Sequence, residues 1–122
     1  MKLNHLDLQI SDVPKTVSFF ERFFDFELQS NRSSKAIAFL SDRHGFLLVL
    51  QHRKNDAERY PEGFHLGFLV DDEAQVVETR ARLADAGHEV SEVIRNNRGV
   101  MIYCKAEDGI LIEVSVRPAR RD

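Results

Sequence analysis

Asn4-His5-Leu6-Asp7-Leu8-Gln9-Ile10-Ser11-Asp12 returns sixty residues later as Phe64-His65-Leu66-Gly67-Phe68-Leu69-Val70-Asp71-Asp72, with His, Leu and the closing Asp in the same places. Repetition at a fixed offset marks a duplicated structural unit. A strand that recurs with a histidine in the same slot sets two imidazoles at equivalent points of such a fold, and paired imidazoles can hold a metal.

The repeat extends beyond the strand. Val13-Pro14 follows Asp12, and then Val17, Phe20 and Phe24 recur at helical spacing; after Asp72 come Val76, Leu83 and Ala84, with Gly87 closing the run. Aspartate caps a helix by accepting orphan backbone N–H groups, proline suits a first turn and glycine suits the left-handed stop. Three runs with strand-type residues follow each helix. In the first half they are 26–30, 35–41 and 46–51, parted by Asn31-Arg32-Ser33-Ser34 and Asp42-Arg43-His44-Gly45. In the second they are 89–94, 100–105 and 110–116, parted by Asn96-Asn97-Arg98-Gly99 and Glu107-Asp108-Gly109. The order is βαβββ twice, an α+β class.

With 122 residues and 43% hydrophobic content the chain suits one domain of two modules, about 1–54 and about 64–116, joined by a polar linker at about 55–63 and trailed by a tail at 117–122. A net charge of −3 offers no electrostatic reason to expect nucleic acid. No charged-then-apolar leader is present and no apolar run is long enough to span a bilayer, so the expected address is the cytoplasm, without a membrane partner. The single cysteine, Cys104, rules out an intrachain disulfide.

Strand alternation sorts the side chains by face. Leu6, Leu8 and Ile10 share an apolar face, with His5, Asp7 and Gln9 opposite; Leu66, Phe68 and Val70 share another, with His65, Gly67 and Leu69 opposite. In the last strand Ile110, Ile112, Val114 and Val116 are apolar together, and Leu111, Glu113 and Ser115 lie on the reverse. A carboxylate between Ile112 and Val114 carries a desolvation cost unless something positive or hydrogen-bonding sits beside it. A divalent cation would answer that cost.

These stretches, together with Phe20-Glu21-Arg22-Phe23-Phe24-Asp25-Phe26 and the run from Tyr103 to Glu113, resemble the vicinal oxygen chelate superfamily, which includes glyoxalase I, fosfomycin-resistance thiol transferases, extradiol dioxygenases and bleomycin-resistance proteins. The resemblance covers nearly the whole chain. It implies two βαβββ modules in a cupped half-barrel sheet with helices on the outer face, and a divalent ion (Fe, Mn, Ni or Zn) held by His5, His65 and Glu113. The fourth family position falls on Val49, which cannot ligate, so the set resembles the two-His-one-carboxylate pattern with open positions more than glyoxalase I proper. Gln51, on the same face, could offer an amide oxygen. Ala106-Glu107-Asp108-Gly109 replaces the family's usual turn, and no serine-bearing loop like that of the fosfomycin transferases intervenes between Arg95 and Tyr103.

The resemblance thus implies a small metalloenzyme whose ion chelates vicinal oxygens of a small-molecule substrate, with chemistry of the dioxygenase, thiol-transferase or isomerase/lyase kind, and a homodimer. Tyr103 would move protons or donate a hydrogen bond, or else be a packed aromatic. Asp7 would orient a ligand, or else be a solvated edge residue. Leu47, Val49, Leu69 and Leu111 would form an apolar wall, and Arg95, Arg98 or the Arg120-Arg121 pair would meet an anionic group, or else be solvated loop and tail charges. Cys104 reads as a buried inert thiol, and His44, His52 and His88 as surface residues. The alternative is a drug- or metabolite-binding protein without chemistry, and a third reading keeps the ion for folding alone.

Overall fold

The Oδ1 oxygen of Asp12 accepts a 3.0 Å hydrogen bond from the Lys15 amide, and Asp72 does the same for Gln75 at 2.9 Å. Each aspartate thereby turns a strand into a helix, as the repeated sequence predicts. A computed structural model describes residues 1–118. The first half runs β1 (His5–Ile10), α1 (Val13–Phe24), β2 (Glu27–Leu28), β3 (Ile37–Ser41) and β4 (Leu47–His52). The second runs β5 (His65–Leu69), α2 (Glu73–Asp85), β6 (Ile94–Asn96), β7 (Gly99–Lys105) and β8 (Leu111–Val116), with a single 3-10 turn at Glu107–Gly109 before the last strand. Of the tail, Arg117 and Pro118 are exposed, and Arg120-Arg121 lie outside the described residues.

Each half forms its own four-stranded mixed sheet, ordered β1-β4-β3-β2 and β5-β8-β7-β6. The first strand runs parallel to the last of its module, and the other pairings are antiparallel. This is the expected α+β arrangement of two βαβββ modules. The chain divides into two compact units after Arg59. No helix among the described residues is long and apolar enough to cross a membrane.

In the first module Leu8, Ile10, Leu40, Leu48 and Leu50 are buried on the face that meets α1, whose Val13, Val17, Phe20 and Phe23 are buried in turn. Phe20 lies edge-on to Phe19 and Phe26, with centroids 5.4 and 5.7 Å away. Asp25, in the left-handed region at φ 55°, stops α1. In the second module Ile102, Cys104, Ile112 and Val114 are buried on the face that meets α2, which buries only Val76 and Leu83. Gly87, at φ 85°, takes the left-handed stop expected of it.

Two strands are shorter than their sequence suggests, for the same reason. The run 26–30 pairs only at Glu27–Leu28, because the Ser30 hydroxyl accepts the Phe39 amide in place of a ladder carbonyl. The run 89–94 is interrupted likewise and its regular pairing displaced: Val90 bridges Cys104, the Ser91 hydroxyl accepts the Tyr103 amide at 3.0 Å, and the strand forms at Ile94–Asn96, beyond the end expected for it. A serine hydroxyl at a sheet edge can compete with the ladder as a local acceptor, as Ser30 and Ser91 do here.

Candidate functional site

The non-helical face of the second sheet assembles row by row. β5 and β8 pair His65 with Leu111, Gly67 with Glu113 and Leu69 with Ser115, and β7 adds Lys105, Tyr103 and Met101 to those rows in turn. Directly paired residues point to the same side. Glu113 therefore lies between Gly67 and Tyr103, one row from the histidine.

Glu113 is buried, with 9% exposure, in the interior of β8. Its carboxylate is held at both oxygens. The Tyr103 hydroxyl donates to Oε1 at 2.5 Å and the Ser115 hydroxyl donates to Oε2 at 3.3 Å. Both donors are neutral, so the charge is oriented without being neutralised. On the open side there is room: a Cβ built on Gly67 would lie 3.8 Å from Glu113 Oε2, and that glycine itself is exposed. The same hydrogen bond, reinforced by burial and by the carboxylate's charge, holds the Tyr103 phenol above its usual range, while Arg98 and Arg117 pull it down less strongly. At neutral pH Tyr103 therefore keeps its proton and serves as a hydrogen-bond donor.

His65 is exposed, and its Nδ1 lies 2.9 Å from the Gly63 carbonyl oxygen. A carbonyl only accepts, so Nδ1 carries the proton and the Nε2 lone pair is left for a ligand. This is the tautomer-fixing contact that metal-binding histidines commonly have. A buried carboxylate with neutral donors, space beside it and an imidazole with a fixed tautomer suit a divalent cation, and so these residues fit the group that the resemblance implies. Among the described residues, however, no three His, Cys, Asp or Glu side chains are gathered so as to hold an ion.

The first sheet repeats the register. His5 pairs with Leu47, Asp7 with Val49 and Gln9 with Gln51. His5 is exposed and Val49 is buried. The carboxylate has changed strands: the row with Gly67 and Glu113 in one module carries Asp7 and Val49 in the other. Asp7 accepts from Gln9 Nε2 at 2.7 Å and from Gln51 Nε2 at 2.5 Å, so the amide nitrogen of Gln51 is engaged with its neighbour.

The remaining candidates separate by face. Leu47 and Leu111 are half-buried on the histidine-bearing faces, and Leu69 is 65% exposed. Arg95 pairs with Val100, on the side that bears the helix, and its Nε donates to Glu73 of α2 at 2.9 Å. That places it away from Glu113. Cys104 is 2% exposed, and burial pushes its thiol up to about 11. His44 and His52 are exposed and His88 is half-buried. Ser115 and Gly67 gain a role that residue type alone did not suggest; the signal available was their shared parity with Glu113.

The family described as the Glyoxalase/Bleomycin resistance protein/Dioxygenase superfamily matches residues 2–114. No curated protein matches the chain. A solved structure of a possible glyoxalase from Bacillus cereus is 31% identical, with TM-score 0.83 over 94% of this chain and 98% of that one. A mutant of the fosfomycin resistance protein FosX from Listeria monocytogenes, complexed with Mn(II) and 1S,2S-dihydroxypropylphosphonic acid, is similar at 24% identity and TM-score 0.76, over 93% of this chain and 88% of that one. Lactoylglutathione lyase from Agrobacterium tumefaciens shares the fold at 20% identity and TM-score 0.76, over 94% and 92%. The chain belongs to the glyoxalase/bleomycin resistance protein/dioxygenase superfamily.

Proposed function

We propose that the protein is a divalent-metal-dependent enzyme acting on a small molecule with neighbouring oxygens, its ion held by Glu113, His65 and, from the equivalent strand of the first module, His5. The observation that carries this is the buried Glu113 carboxylate, oriented by two neutral hydroxyls and left open beside Gly67. Such a charge is retained against its desolvation cost for a reason. When bound, a divalent ion supplies Lewis acidity to the chelated oxygens. The chain's own residues do the rest. Tyr103, protonated at neutral pH, donates to an oxygen on which negative charge develops. Within each module apolar neighbours limit water, Leu111 beside His65 and Leu47 beside His5, with Val49 on the same face, and Asp7, fixed by Gln9 and Gln51, presents an oriented acceptor. The FosX complex, with its metal and vicinal diol, supports this substrate class. Association into homodimers belongs to the same proposal and is read by light scattering.

Binding without chemistry is the second reading, favoured by Val49 at the fourth position and by the absence of a gathered trio among the described residues. One experiment separates the two. Calorimetric titration with Mn(II) and Zn(II) should give stoichiometric binding to wild type and none to Glu113→Gln, whose folded state survives because glutamine keeps an acceptor for Tyr103. Metal-loaded protein should then turn over one member of a panel of diols, catechols, epoxides with thiols, or hemithioacetals. Wild-type protein that takes up neither ion overturns the proposal, and uptake without turnover leaves the binding reading.

A further inference from the structure

Each oxygen of the Glu113 carboxylate already accepts one hydrogen bond. Tyr103 sits directly across the pairing row, and its hydroxyl, 2.5 Å from Oε1, takes the oxygen that Ser115 does not hold. Its Met101 neighbour offers only a weak acceptor, the thioether sulfur 3.6 Å from the same hydroxyl. The phenol is half-buried, whereas Glu113 is buried in the interior of its strand.

We propose that Tyr103 is a placeholder on Glu113: its hydroxyl occupies Oε1 in the metal-free protein, is displaced when a cation takes that oxygen, and is thereby released to donate to the substrate. This rests on the proposed metal function. The physical basis is competition for electron density. A carboxylate oxygen that binds a dication is a poorer hydrogen-bond acceptor, and a hydrogen bond to a charged group is among the stronger ones a protein makes. The bond to Tyr103 therefore stabilises only the empty state. Ser115 has a different part: its bond to Oε2 holds the carboxylate in place in both states, so it is a positioning residue.

A competitor and an orienting residue predict opposite signs, which makes the inference testable. Removing a competitor tightens metal binding, while removing an orienting group weakens it. Zn(II) affinity of Tyr103→Phe, by calorimetry, should be about tenfold tighter than wild type, equivalent to about 1.4 kcal/mol, whereas Ser115→Ala should bind more weakly. A second readout is spectroscopic. The chain has two tyrosines and no tryptophan, so in Tyr60→Phe all emission from these fluorophores is that of Tyr103. Its emission, quenched by the carboxylate, should rise on Zn(II) addition with the midpoint that calorimetry gives. Zinc is chosen because its filled shell does not itself quench. If Zn(II) binds wild type while Tyr103 emission stays constant, or Tyr103→Phe binds with equal or lower affinity, the placeholder is wrong and the metal function stands. If Zn(II) and Mn(II) both fail to bind wild type, the metal function falls and takes the placeholder with it.

Discussion

A lone carboxylate inside a strand would carry a penalty of several kcal/mol if nothing met it, and Tyr103 and Ser115 between them meet both of its oxygens. At this scale Cys104 shows the opposite use of burial. With its thiol pushed up to about 11, only about one molecule in a thousand is thiolate at pH 8. Iodoacetamide at that pH should leave native Cys104 unmodified over hours and alkylate it rapidly in urea, as intact mass will show; fast native labelling would contradict the burial. Alternation along a strand made Glu113, Tyr103 and Cys104 legible from sequence, because period two needs no tertiary information. Arg95 was not legible in the same way. Its direction depends on where β6 begins, and pairing resumes only after Ser91 has replaced a ladder acceptor, which puts Arg95 on the helix side against Glu73.

Among the elements, the two helices are held by different means. α1 buries six residues, including three phenylalanines, whereas α2 buries two and relies on a reciprocal cap in which Asp72 and Gln75 satisfy each other's backbone amides. Asp72→Ala should therefore cost about 1 kcal/mol and raise amide exchange through the first turn of α2, as denaturant titration and hydrogen exchange will report; unchanged exchange there would mean packing alone secures the helix. β5 offers a complementary test. Gly67 has no left-handed backbone, and a Cβ there makes only an ordinary contact with Glu113. Valine at 67 suits a strand, so Gly67→Val should melt no lower than wild type, yet its methyls would crowd the open side of the Glu113 carboxylate and weaken Zn(II) uptake by about tenfold, or about 1.4 kcal/mol. Retained affinity would place the metal elsewhere. Both helices, their aspartate N-caps and the Gly87 stop were readable in advance because Asp, Pro and Gly act locally, while Asp25 as the left-handed stop of α1 was not; nor were the short edge strands, since a serine hydroxyl substituting for a carbonyl looks in sequence like any other polar residue.

For the molecule as a whole, duplication is the governing fact. The two modules share strand order and register down to the rows His5–Leu47 and His65–Leu111, yet the acidic row has diverged, with Asp7 and Val49 where the second module has Gly67 and Glu113. Restoring the missing acid should be costly: Val49→Glu would bury a second carboxylate directly opposite Asp7, and the metal-free protein should lose about 3 kcal/mol of stability in urea titration. A loss under 1 kcal/mol would mean that water reaches position 49. The divergence could be seen in the sequence once the repeats were aligned, but not which neighbours each acid would find. The Ser91 clasp has a consequence of its own. Ser91 takes the Tyr103 amide on its hydroxyl and gives its own amide to the Tyr103 carbonyl, so the main chain at that tyrosine is pinned on both sides. Any exchange of hydroxyl partners is then a pivot of one ring about a fixed hinge, its speed set by side-chain rotation and not by the slower opening of a loop, on the order of nanoseconds to microseconds.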